Sequence, residues 1–212
     1  MTLTLENLTV DLGDQRLVAL DVTVSGGEVL TLMAPSGAGK SSALGAIIGT
    51  LPHVFTVSGR VLLDGQDVTR LPTRLRRIGL LFQDDVLFAH LTVGGNLGFA
   101  LPARTPDRKR QIADALASAG LEGFADRDPA TLSGGQRARV ALLRCLLARP
   151  RALLLDEPFS RLDAALRDQM RSLVFDRART LGLPVILVTH DAEDARAAAG
   201  RVLSPLGIPQ PI

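Results

Sequence analysis

The segment Ala34-Pro35-Ser36-Gly37-Ala38-Gly39-Lys40-Ser41 joins small residues to one lysine and one hydroxyl, the residue types a polyphosphate needs. Small residues let backbone N–H groups converge closely on a phosphate, and the N-terminus of a following helix adds partial positive charge. Lys40 is placed to reach the β- and γ-phosphates, and the Ser41 hydroxyl to ligate magnesium. Ser42 is counted with the loop among the nucleotide-binding positions. One position departs from the strict pattern, which begins with glycine where Ala34 stands. Alanine tolerates positive φ poorly, but the change is small and the loop is expected to accommodate it. Taken alone, this loop leaves kinases, GTPases and many other ATPases open.

Two further segments could act on such a ligand. Ala152-Leu153-Leu154-Leu155 runs straight into Asp156-Glu157-Pro158, and a carboxylate at the C-terminal end of a parallel strand points into the ligand crevice. Asp156 is placed to hold the magnesium ion, and Glu157 to orient or polarise an attacking water. Phosphoryl transfer asks for little beyond positioning and charge neutralisation. The pair reads equally well as the surface end of a strand, so the other motifs decide. Leu132-Ser133-Gly134-Gly135-Gln136 precedes a helix. Ser133 suits its N-cap, and the paired glycines, which capping does not require, leave the helix tip bare for an anion.

The elements that must carry these residues follow from the apolar pattern. Leu3 to Val10, Leu17 to Val24 and Glu28 to Met33 read as strands, with Ser25-Gly26-Gly27 as a turn. Lys40 to Ile48 reads as a helix ended by Gly49. Gly59 to Leu63 reads as an edge strand and Ile78 to Phe82 as a buried one. Helix is predicted within Thr92 to about Leu121, interrupted at Pro102 and Pro106, and again over Gly134 to Ala148. Ala152 to Leu155 and Val185 to Val188 are apolar runs of strand length. The fold class is therefore α/β, with a largely parallel sheet and an inserted α-helical lobe; the family resemblance given below implies a P-loop NTPase core with an antiparallel β edge. We expect a single domain, with 1–90 and 133–212 as core, about 91–132 as helical subdomain, and no C-terminal regulatory domain.

Composition narrows the classes. At 212 residues and 46% hydrophobic, the chain can bury one substantial core. The net charge of +2 gives no strong case for nucleic acid, and none is expected as a partner. The cluster Arg70, Arg74, Arg76 and Arg77 reads as solvated surface. Cys145, the single cysteine, sits in an apolar run and reads as a small buried hydrophobe. No stretch reaches the ~18 uninterrupted apolar residues of a membrane helix. His53 and His90 carry no chemical context.

In the order of its motifs the sequence resembles the ABC transporter ATPases over almost its whole length. Those motifs are Ala34 to Ser41, Gln83, Leu132 to Gln136, Leu153 to Glu157, Ser160-Arg161-Leu162-Asp163 and His190. Leu81-Phe82-Gln83-Asp84 and Leu91-Thr92-Val93 are similar to the importer branch. Asp128 to Arg144 and Leu153 to Asp168 are similar to a small proteobacterial importer subgroup near the thiamine and sulfate systems. The resemblance implies ATP and Mg2+ as cofactors, with Glu157, His190 and Lys40 catalytic and Ser41, Gln83 and Asp156 around the metal. It implies a head-to-tail homodimer, in which one subunit's phosphate loop and the other's Ser133, Gly134, Gly135 and Gln136 enclose one ATP. Asp163 would lie across that dimer and couple the two sites. A permease would dock near Gln83 to Leu97, in a groove lined by Phe82, Val86, Leu87 and Phe88. Phe82 reads equally well as core. The chain would then work in the cytoplasm, peripheral on the inner face of the cell membrane, served indirectly by a secreted solute-binding protein. An exporter subunit, a soluble ABC ATPase acting away from membranes and a passive ATP-holding module remain open readings.

One departure carries its own prediction. The family stacks an aromatic on adenine from an early loop, and Leu12 stands there in a chain without Trp or Tyr. Aromatic–base stacking contributes ~1–3 kcal/mol in nucleic-acid binders. Comparable hydrolysis of ATP and GTP is therefore expected in steady-state assays; strict ATP preference with GTP inert would overturn this.

Overall fold

The computed structural model describes residues 1–35, 37–82 and 86–211. Strands β1 (Thr2–Leu12) and β2 (Gln15–Ser25) form an antiparallel hairpin. On β1 the buried residues are Leu3, Leu5, Leu8 and Val10, and a strict two-residue period cannot place both Leu5 and Leu8 inward. A bulge between them corrects the phase, with Asn7 at φ 46°. Gly59 on the neighbouring strand lies against that bulge at φ 90°, where a Cβ would meet the Asn7 carbonyl oxygen at 2.3 Å. Only glycine fits.

After β3 (Val29–Met33) and α1 (Lys40–Ile48) comes β4 (Phe55–Leu63), which begins earlier than the sequence pattern indicates. Its first residues are mostly exposed, so their apolar signal is weak. With the two-residue β5 (Gln66–Asp67) it completes a four-stranded sheet ordered β2-β1-β4-β5. The antiparallel strands thus form a sheet of their own.

The second sheet takes β6 (Ile78–Leu81), β7 (Ala152–Asp156), β8 (Val185–Thr189) and β9 (Val202–Leu203) alongside β3. Its order is β6-β7-β8-β3-β9, with every strand pairing parallel. Leu154, Ile186 and Val188 face one core, shared with α1 and the antiparallel sheet. Leu153, Leu155 and Leu187 face the other, shared with the helices below. Burial on both faces explains the unbroken apolar runs.

On that second face lie α2 (Val93–Ala100), α3 (Arg108–Ser118), α4 (Gly134–Leu147) and α5 (Ala164–Leu181), with α6 (Ala192–Ala198) beside β3 and β8. α2 and α3 pack on each other and on α4. The sequence reading does not place α5, although Asp163 caps its start, Gly182 in the left-handed region ends it, and Met170, Val174 and Ala178 recur one turn apart. Among the described residues no helix is long and apolar enough to cross a membrane.

Two sequence readings are refined. Arg76 is not solvated surface: it is 5% exposed and donates to Ile47 O at 2.7 Å and Leu71 O at 2.9 Å. Its guanidinium covers the C-terminal carbonyls of α1, where cationic charge favours the helix dipole. Cys145 is only partly buried, packed against the helical core, and burial pushes its thiol up to about 12.

Candidate functional site

The loop between β3 and α1 turns through Gly37 at φ 81° and Gly39 at φ 88°. At Gly39 a Cβ would stand 2.7 Å from the Leu17 carbonyl oxygen, so the loop lies tightly against β2. Ala34 is not among the described residues with positive φ, so its place in the pattern does not demand glycine. Ser36 lies outside the described residues. Lys40, 6% exposed, opens α1 and donates from Nζ to the carbonyl oxygens of Ala34 and Pro35, the latter at 3.1 Å. The same nitrogen is 4.0 Å from Glu157 Oε1.

Next on α1, the Ser41 hydroxyl donates to Asp156 Oδ2 at 3.0 Å, across 115 residues of sequence. Burial pushes the Asp156 carboxyl above its ordinary value. The Ser41 bond opposes that shift, the Glu157 charge adds to it and Lys40 works against it. A cation beside Asp156 would relieve the same burial cost.

Glu157 leaves β7 at φ 47°, a conformation uncommon for a side chain larger than glycine. Two groups hold the turn: its N–H donates to Val188 O at 2.9 Å, and its carbonyl accepts the Ser160 hydroxyl at 2.9 Å. The carboxylate then meets His190, with Oε1 3.1 Å from Nδ1. His190 follows β8 just as Asp156 and Glu157 end β7, and the two strands pair side by side. Lys40, Ser41, Asp156, Glu157 and His190 therefore form one cluster at the C-terminal ends of adjacent parallel strands, where α/β sheets bind ligands. Gln83, named from the sequence for the same cluster, lies outside the described residues, as does Asp84.

The Ser133–Gln136 segment stands apart from that cluster, and its hydrogen bonds close on its own helix. Ser133 Oγ accepts the Gln136 N–H at 3.3 Å, and Gln136 Oε1 accepts the Ser133 N–H at 2.9 Å, a reciprocal cap. Neither Gly134 nor Gly135 has positive φ. A Cβ on Gly134 would come no nearer than 3.9 Å to Arg137, and one on Gly135 would meet Leu162 at an ordinary 3.6 Å. Nothing in the chain's own packing calls for these glycines.

Other sequence-named residues fall at the rim. Leu12 ends β1 at the hairpin tip, 40% exposed, paired with Gln15 and Phe55. Phe82 is 54% and Val86 57% exposed, which removes Phe82 from the core; Leu87 packs on the helical core and Phe88 stacks edge-on with Phe99 at 4.8 Å. A cavity of about 610 Å3 lies elsewhere, between α3, α4 and α5, and none of the clustered residues lines it.

The sequence reading missed the side chains behind His190: Arg167 and Arg171 of α5, and Asp194 of α6. Two arginines one helical turn apart were the available signal.

The family profile described as "ABC transporter" matches residues 17–160. The chain is 52% identical over 198 residues to the uncharacterized ABC transporter ATP-binding protein YnjD of Escherichia coli (strain K12), covering 92% of this chain and 91% of that one. It is 44% identical over 188 residues to the thiamine import ATP-binding protein ThiQ of Vibrio vulnificus (strain YJ016), covering 87% and 79%. Among solved structures, the dimeric post-hydrolysis state of the ATP-binding cassette MJ0796 bound to ADP and Pi superposes with a TM-score of 0.82 at 29% identity. That match covers 99% of this chain and 97% of that one.

Proposed function

The chain belongs to the ABC transporter family, and on that premise we propose that it is the ATP-hydrolysing subunit of a membrane importer, working as a head-to-tail dimer. The observation that carries this reading is the Lys40–Glu157–His190 cluster beside the Ser41–Asp156 pair, at the end of the phosphate loop's own sheet.

In this reading the backbone of residues 34–39 surrounds the phosphates, with Ser41 and Ser42 at the helix tip. Lys40 exchanges its contacts with the Ala34 and Pro35 carbonyls for the β- and γ-phosphate oxygens. Ser41 and Asp156, with Gln83, would hold magnesium. A hydroxyl, a carboxylate and an amide are oxygen donors suited to a hard cation such as magnesium, and among the described residues no group of three or more His, Cys, Asp or Glu could hold a metal ion. The ion supplies charge neutralisation on the phosphates. Glu157 orients the attacking water, and His190, hydrogen-bonded to it, contacts the γ-phosphate.

Ser133, Gly134, Gly135 and Gln136 act on a partner subunit's nucleotide. Support comes from the two glycines that the chain's own packing does not need: a bare helix N-terminus lets an anion approach closely. Phe82, Val86 and Phe99 are exposed, and Phe99 stacks on Phe88; these apolar side chains are what membrane permease subunits would meet near residues 83–97. The subunit works in the cytoplasm, on the inner face of the membrane, with a secreted solute-binding protein acting through the permease. Import is favoured by the thiamine-import relative.

Affinity capture from detergent-solubilised membranes tests the assignment. The expected result is recovery of a membrane-spanning permease together with steady ATP consumption by the wild-type chain. Recovery of RNA or ribosomes instead, or ATP held without turnover, would replace it with one of the non-transport readings.

A further inference from the structure

His190 is 60% exposed at the crevice, yet the chain on both sides of it is anchored in the interior. Thr189, 2% exposed, accepts the Asp191 N–H on its hydroxyl at 3.0 Å and donates that hydroxyl to Asp194 Oδ2 at 3.0 Å. The Asp194 side chain is 4% exposed and accepts Arg171 Nε on its other oxygen at 2.7 Å, with Nη2 closing on the same atom. Arg171, itself 7% exposed, reaches Asp168 at 2.9 Å. One turn earlier on α5, Arg167 donates to Asp191 Oδ2 at 3.0 Å and to Leu162 O at 3.2 Å. The residues before and after His190 are therefore both tied to α5.

Burying a charged pair is a poor route to stability. The desolvation of both ions offsets most of their attraction, and apolar replacements of similar volume are often neutral or better. What a buried hydrogen-bonded network does supply is a fixed geometry, even with Arg171 Nη2 and Arg167 Nε left without a hydrogen-bond partner, and a reacting group needs its position held to within about 0.5 Å.

We propose that Thr189, Asp194 and Arg171 are positioning residues for His190, a buried chain of hydrogen bonds that fixes the imidazole against the Glu157 carboxylate. The inference rests on the ATPase reading for its catalytic consequence, but the imidazole's placement is a property of the chain alone. Thr189 is the sensitive link, because one hydroxyl joins Asp194 to the backbone just beyond His190.

Thr189→Val removes that hydroxyl at nearly constant volume, in a strand where valine is at home; Thr189→Ser keeps it. For Thr189→Val we expect kcat to fall about 10-fold with the KM for ATP within about 2-fold of wild type, and Thr189→Ser to recover most of the rate. In a His190→Ala background Thr189→Val should add no further loss, because the residue being positioned is gone. The His190 imidazole resonances, identified by their absence in His190→Ala and recorded without nucleotide, should shift or broaden in Thr189→Val but not in Thr189→Ser. Should Thr189→Val fail to fold, Asp194→Asn takes its place in the same measurements. Multiplicative losses in the double variant, or an unchanged imidazole signal, overturn the proposal. A wild-type chain without turnover would sink the ATPase reading, while the imidazole spectra would still decide the positioning role.

Discussion

Glu157→Gln is expected to lower steady-state ATP turnover by about 100- to 1,000-fold while ATP binding is retained, and to accumulate an ATP-bound dimer. Glutamine preserves the size of the side chain and can still meet His190, but it has no negative charge with which to polarise water. General-base contributions of ~100- to 10,000-fold set the scale of the loss. The fold should tolerate the exchange. The unusual φ of 47° at this position is held by the backbone bond to Val188 and by Ser160, and neither involves the carboxylate. Phosphate release measures the rate, and size-exclusion chromatography with ATP and magnesium measures the dimer. Turnover within about 3-fold of wild type would remove Glu157 from the catalytic role and leave the carboxylate as a structural partner of His190.

The second large effect lies in a residue that does nothing for its own subunit. In Gly135→Asp the new side chain starts at ordinary contact distance from Leu162, 3.6 Å, and an acidic residue in the first turn of α4 suits the helix dipole. The melting temperature should therefore stay close to wild type. In a head-to-tail dimer, however, that carboxylate would face the γ-phosphate bound by the partner. Like charges at a desolvated contact oppose association, so ATP-dependent dimers should be lost and turnover should fall about 100-fold or more. A monomer would still bind ATP through its phosphate loop. Mixing supplies the sharper comparison. Lys40→Ala and Gly135→Asp should each be inactive alone, yet their heterodimer pairs one intact phosphate loop with one intact glycine segment. Turnover that reappears on mixing identifies a site shared between chains. A Gly135→Asp variant that dimerises and hydrolyses normally would show that each subunit works with its own residues.

Both predictions draw on features that the sequence displays in short, contiguous runs. A phosphate loop, a strand ending in two acids and a capped helix with paired glycines each require fixed local spacing, so the residues could be named before any coordinates. The helix at Lys40–Ile48 was equally legible, since a loop glycine precedes it and a left-handed glycine ends it. The unbroken apolar strands announced a sheet covered on both faces. The alternating ones did not reveal that they form a separate sheet, because strand pairing across tens of residues leaves no local mark. The bulge at Asn7 was hidden for a related reason. It shifts the phase of the alternation, and only its fit against Gly59 gives that shift a purpose.

The sequence by itself determined the chemistry, because residue types and their spacing along one strand, loop or helix tip fix which groups can meet a phosphate. The tertiary structure alone decided how those groups are held. Glu157 meets His190 only because β7 and β8 lie side by side, and the spot His190 occupies depends on Arg171 reaching Asp194 through the interior. It also decided that Gly134 and Gly135 are free of packing duties within their own chain. The reason is that burial and register are properties of elements in contact. A single arginine at a helical position reads as surface until a carboxylate from another element closes over it.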